Sequence, residues 1–175
     1  MGAPQVPIDV DPKTGVWTSD GLPMIYLPRH FFINNHRAVE QALGRERYAE
    51  ILFQAGHFSA YQWCAKTAPH RGLGGLDVFH LYLRRLSQRG WGQFAVLEVD
   101  EEAARARIRI DHSVFLLEPG ADGSTDGACY MFAGWPAGAL EWVREEGGQR
   151  GRILGAETAC RASGAEHCVL EAWPA

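Results

Sequence analysis

Between residues 45 and 65 the apolar positions Tyr48, Ile51, Leu52, Ala55 and Phe58 recur every three or four residues. Arg45, Glu46, Glu50 and Gln54 fall on the other side, so the spacing predicts an amphipathic helix. The glycine-rich run 71–75 breaks the chain. A second helix is predicted from about Leu76 to Gln88, with Leu76, Phe79, Leu83 and Leu86 on one face. The period then changes to two. Gln93–Val99 reads as a strand and Asp100–Glu102 as a turn. Arg105, Arg107 and Arg109 then alternate with Ala106, Ile108 and Ile110, the pattern of a half-buried antiparallel strand.

The Gly, Asp and Ser content of 119–127 predicts a flexible loop. A third helix is expected from about Ala128 to Glu145. In it Gly134 and Gly138 would let another backbone approach closely, and Pro136 would introduce a kink. The end reads as a hairpin, 152–159 and 167–173, turning through Ser163 and Gly164. At the other end, residues 1–21 read as an extended arm. The Pro-interrupted stretch Leu27–Phe32 reads as a strand or loop. Helices, a hairpin, a helix and a hairpin predict an α+β fold: an antiparallel sheet with its helices packed on one side, in a single domain over 22–175.

With 175 residues, 46% of them hydrophobic and 22% charged, the chain has the composition of one globular domain with a sizeable core. A net charge of −4 speaks against nucleic acid or a polybasic membrane surface as partner. No apolar run approaches the roughly 18 residues of a membrane helix. The N-terminus lacks the basic start and apolar stretch of a signal peptide, so a cytoplasmic location is expected. Four cysteines in a reducing compartment are then packed thiols, reactive thiols or metal ligands rather than a disulfide framework.

Three of the four lie near the C-terminus. Cys160 and Cys168 flank the expected turn, Glu157 precedes Cys160 by three residues, and Cys129 opens the expected third helix. A hairpin presenting two thiolates can hold half of a tetrahedral zinc site, and a carboxylate is an acceptable fourth ligand. A helix N-terminus would favour the thiolate form of Cys129. Inert packed thiols, or a Cys160–Cys168 disulfide, remain open on spacing alone. Glu157 and Cys160 are an odd number apart, so on a regular strand they would face opposite ways. Either the strand bulges there or Cys160 already lies in the turn.

The stretch from Cys129 through Gly134-Trp135-Pro136-Ala137-Gly138, then Glu157-Thr158-Ala159-Cys160, Ala162-Ser163-Gly164 and His167-Cys168, resembles the 4-vinyl reductase domain family. That family shares a ligand-binding fold with haem nitric-oxide sensors, vesicle-tethering TRAPP subunits and the sensory region of phenol- and xylene-responsive activators. The resemblance is sharp over 129–170, looser back to Arg37, and absent from the N-terminal arm. It implies a zinc ion held by Cys129, Glu157, Cys160 and Cys168, in a closed and structural site.

His80 falls between Leu76 and Leu83 and is expected on the apolar face of the second helix, where a neutral imidazole needs a partner. By the resemblance it lies in register with a histidine that contacts the phenol hydroxyl in the sensors. The sensors' middle-strand tryptophan has no counterpart near Ile110, where Asp111 and His112 follow instead. A ligand pocket lined by His80, Phe79, Ile110, Phe132 and Trp135 is set against the alternative that these residues are simply core. No nucleotide, nucleophile-elbow or zinc-protease motif is visible. The expectation is therefore a zinc-stabilised module for a small, partly apolar ligand, a sensor or accessory domain working through a partner enzyme or regulator, with a homodimer expected. The alternative is a subunit or accessory factor of a reductase or dehydrogenase, in bacteriochlorophyll vinyl reduction or methylated-amine breakdown.

Overall fold

A computed structural model describes residues 5–117 and 127–175 of the chain. Residues read as an extended arm instead fold into part of a small antiparallel sheet, β1 (Asp9–Val10), β2 (Trp17–Ser19) and β3 (Leu22–Met24). Its β2–β3 turn carries Asp20, whose side chain is 2% exposed and pairs with Arg71, Arg85 and Arg89 at 2.7, 3.0 and 3.2 Å. The arm is thus anchored by charge on the body of the protein.

Three helices follow: α1 (Arg29–Leu43), α2 (Arg45–Arg71) and α3 (Gly75–Gln88). Helix α1 corrects the strand or loop expected at Leu27–Phe32. Pro28 sits just before the first turn with φ −63°, and its carbonyl accepts from the Phe31 and Phe32 amides. A proline at a helix start has no amide proton to leave unpaired, so there it begins a helix rather than breaking one. Helix α2 continues past residue 65 and ends at Gly72, which adopts a left-handed φ of 63°.

The second sheet contains β4 (Gln93–Asp100) and β5 (Arg105–Asp111). After it come α4 (Gly134–Glu146) and the terminal hairpin β6 (Ile153–Ala159) and β7 (Cys168–Pro174). The strands run antiparallel in the order β4-β5-β7-β6. The expected alternation on β5 is observed: Ala106, Ile108 and Ile110 are buried, and Arg105 and Arg107 are exposed. Helix α3 packs on β4, and α4 on β5, β6 and β7. Between the layers lie Phe79, Leu83, Ile108, Ile110, Leu140, Val143 and Leu170, each 2% exposed or less. Removing such a side chain from water contributes about 2 kcal/mol.

The third helix differs from expectation at its start. Cys129 precedes a single 3-10 turn, Tyr130–Phe132, and the α-helix begins only at Gly134. Pro136 therefore falls in the first turn of α4, where its missing amide has no partner to lose, and no kink is required. The two glycines do what their spacing suggested. A Cβ on Gly134 would meet the Phe53 carbonyl, and one on Gly138 would meet the His57 carbonyl, so α2 and α4 touch backbone to backbone. A His57–Glu141 contact of 3.0 Å braces the same crossing. The loop expected over 119–127 lies outside the described residues apart from Gly127. Among the described residues, no helix is long and apolar enough to cross a membrane.

Candidate functional site

Strand β6 does not stay in register with β7. Glu157 pairs with Leu170, but Ala159 pairs with Val169, so Thr158 is an extra residue in a bulge. Cys160 then leaves the strand and caps a 3-10 turn, Arg161–Ser163, whose return at Gly164 is left-handed with φ 94°. Both ways of bringing Glu157 and Cys160 to one side are therefore used together. Cys168 opens β7 across from them.

The result is a tight cluster of four donors. One ligand atom each from Cys129, Glu157, Cys160 and Cys168 lies within 4.8 Å of all the others. The Cys168 sulfur is 3.5 Å from those of Cys129 and Cys160. In a tetrahedral site with metal–sulfur bonds near 2.3 Å, neighbouring sulfurs would be about 3.8 Å apart, so the spacing suits one ion. All three cysteines are 2% exposed or less.

The surroundings suit negative charge. The Ala128 amide donates to Cys160 Sγ at 3.2 Å and the Arg161 amide to Cys168 Sγ at 3.4 Å. The Cys129 amide donates to both Glu157 carboxylate oxygens at 3.1 Å. These contacts orient the ligands and share their charge. Burial, and next the negatively charged Cys160 sulfur beside it, pushes the Glu157 carboxyl up to about 8. Hydrogen bonds from Cys129 and Cys168 draw Cys160 far down, while Cys129 is pushed up. Cys168 is drawn down by Cys129 but pushed up more by Cys160 and burial, to about 12. A divalent cation bound by these donors would displace protons from the thiols.

Two members of this site were not legible in the sequence. Ser113, 1% exposed, has its hydroxyl 3.0 Å from Cys129 Sγ. Gly127, at φ 80°, lets the chain pass the carboxylate: a Cβ there would lie 2.6 Å from Glu157 Oε2. Neither carries a spacing signal, because both come from loops that only the fold brings to the hairpin.

The expected ligand residues are arranged differently. Phe79, Ile110 and Phe132 are fully buried, and Trp135 is half-buried with its ring 4.8 Å from that of Phe132. Trp91, Phe94 and Phe115 also pack on Phe132. His80 is exposed, which corrects its expected place on the apolar face. The buried stripe of α3 runs through Val78, Phe79, Tyr82, Leu83 and Leu86, and His80 points about 100° away from Phe79. It borders an open groove of about 580 Å³ with Leu83, Arg84, Ser87 and Phe94. Asp111 is engaged by Arg109 Nε at 2.7 Å. Cys64 is a core thiol whose burial pushes its pKa up, which makes it unreactive.

The sequence profile of a domain of unknown function, DUF5943, matches residues 2–97. The chain belongs to the DUF5943 family. No curated protein matches its sequence. Among solved structures, this DUF5943 chain is similar to the phenol-responsive sensory domain of the transcription activator PoxR, solved with phenol. There the TM-score is 0.77 at 16% identity, over 95% of this chain and 84% of that one. It is also similar to a trafficking protein particle complex subunit 3 from Naegleria fowleri, covalently bound to palmitic acid. That match has a TM-score of 0.55 at 12% identity, over 84% of this chain and 95% of that one. A vinyl-4-reductase family protein from Methanocaldococcus jannaschii matches with a TM-score of 0.53 at 14% identity, over 87% and 84% of the two chains. The fold of this DUF5943 member is the one these three proteins share.

Proposed function

We propose that this chain is a small-molecule-binding domain of the sensor or accessory kind, held together by zinc and acting through a partner protein. The observation that carries the reading is the match over 95% of the chain to a domain that responds to phenol. The ligand-binding role is carried over from that fold; the packing of Phe132 and Trp135 on their aromatic neighbours argues for a different ligand or a different place in the fold. Zinc is favoured over other divalent ions by the donor set. Three sulfurs and one carboxylate would form a soft, four-coordinate cage that leaves no position for substrate.

Elemental analysis and native mass spectrometry of the purified chain test both parts. About one zinc per chain is expected, with a colourless spectrum and stabilisation by small organic compounds in a thermal-shift screen. A folded chain with no metal overturns the zinc assignment. A bound flavin or haem overturns the binding-module reading in favour of a redox subunit.

A further inference from the structure

Next to the four-donor cluster, at the edge of the aromatic core, a cavity of about 310 Å³ opens between α1, the start of α2 and the 3-10 turn after Cys129. Its volume is at the low end for small-molecule sites, enough for a body the size of about one ring. Ile33, His36, Arg37 and Glu40 recur at helical spacing and form one wall; Phe115 and Tyr130 form another.

The polar groups of this cavity are fixed before any ligand arrives. The Tyr130 hydroxyl donates to Glu40 Oε2 at 2.6 Å, and His36 Nε2 lies 3.2 Å from the same hydroxyl. With that proton committed to Glu40, Nε2 carries its own hydrogen toward Tyr130 and Nδ1 is left as an acceptor. His36 is 6% exposed, and its Nδ1 has no partner among the described residues. Arg45 lies over the Tyr130 ring at 4.4 Å and reaches Glu40 Oε1 at 3.5 Å. Glu40 is thus fully engaged.

Of the two arginines lining the cavity, Arg45 is engaged by Glu40, while Arg37 is exposed at the mouth and makes no ion pair among the described residues. Beneath it the surface is apolar, from Ile33, Phe115 and the Tyr130 ring. An apolar floor under a guanidinium that makes no ion pair among the described residues selects for an amphiphilic anion, since a guanidinium holds a carboxylate by paired charge-assisted hydrogen bonds.

We propose that this cavity binds a small organic monoanion, a carboxylate on a compact apolar body, with the carboxylate at Arg37 and the body against Ile33, Phe115 and Tyr130. This rests on the reading of the domain as a small-molecule binder and gives that reading a place and a ligand class. It places the ligand beside the metal cluster rather than in the packed core around Phe132.

Calorimetric titration of the metal-loaded full chain tests it, with benzoate and isovalerate as probes and benzyl alcohol and isoamyl alcohol as uncharged counterparts of similar shape. The acids are expected to bind at least about tenfold tighter than the alcohols. R37Q is expected to weaken the acids about tenfold and leave the alcohols and the metal content unchanged. K66Q, which removes a cation elsewhere, should change nothing. If the alcohols bind as well as the acids and R37Q is indifferent, the anion site is overturned while the small-molecule reading stands. If neither acid nor alcohol binds, the site is overturned and the broader reading loses its support here as well.

Discussion

Cys160→Ser or Cys168→Ser leaves two thiolates and a carboxylate where the cluster holds four donors within 4.8 Å. The expected outcome is loss of the metal and a drop in stability of more than about 4 kcal/mol, because metal affinity and folding are one free energy at such a site. Elemental analysis with urea denaturation checks it; a variant that keeps full metal and full stability would rule the cluster out as a structural centre. A second residue-scale prediction concerns His36. Burial holds its pKa below 6.5, with Arg45 and Arg37 also lowering it and Glu40 opposing; Tyr48 and Tyr130 pack against its ring. Because the folded value lies below the unfolded one, the unfolded chain takes up the proton first. Stability is therefore full above about pH 6.5 and is lost as pH falls below it. The difference in melting temperature between the wild type and His36→Gln should depend on pH in that range; a constant difference would refute the assignment. At this scale the clustering of Cys129, Glu157, Cys160 and Cys168 was legible because three share one hairpin and the family pattern covers all four. His36 and Ser113 were not, since each acts through residues far away in sequence, at Tyr130 and Cys129.

Helix α4 can reach α2 only because Gly134 and Gly138 present no side chain to the Phe53 and His57 carbonyls. Gly138→Ala is expected to destabilise the protein by about 3 kcal/mol, the upper end for overpacking, since backbone rather than a flexible side chain would have to move. Thermal or chemical denaturation measures it, and a neutral substitution would show that the two helices can separate freely. On strand β6, deletion of Thr158 removes the bulge. Glu157 and Cys160 are then two residues apart and stay on one face of a regular strand, so metal binding should be retained. Loss of metal in elemental analysis would mean that the bulge itself, and not only the shared face, positions the two donors. The glycines at the α2–α4 crossing and the odd spacing at β6 were both readable from the chain. The prolines were misread: Pro28 and Pro136 lie at helix starts, and a proline's local chemistry alone does not say whether a helix begins or breaks there. His80 was misplaced because Leu76, which helped define its face, is only half-buried and lies at the edge of the true stripe.

For the molecule as a whole, the α+β arrangement was legible because the period-two segments come in hairpin pairs and the helical ones carry clear apolar faces. The small sheet was not, since its strands are two or three residues long and cannot display a period. Its attachment depends on Asp20, buried against three arginines. Asp20→Asn leaves those guanidinium groups without their counter-charge, and a loss of about 3–5 kcal/mol is expected. Limited proteolysis should then cut the first 24 residues sooner than in the wild type; unchanged protection would show that apolar contacts alone hold the sheet.

The segment after Gly127 has two sides. Cys129 belongs to the four-donor cluster, while Gly127, Ala128 and Tyr130 line the cavity over α1. An ion on one side and an organic anion on the other would stiffen the same few residues. Whatever factor the ion adds to the anion's affinity, the anion must return to the ion's, because such coupling is reciprocal. A domain built this way would report on a product of two concentrations, and its response to the small molecule would fade as metal becomes scarce.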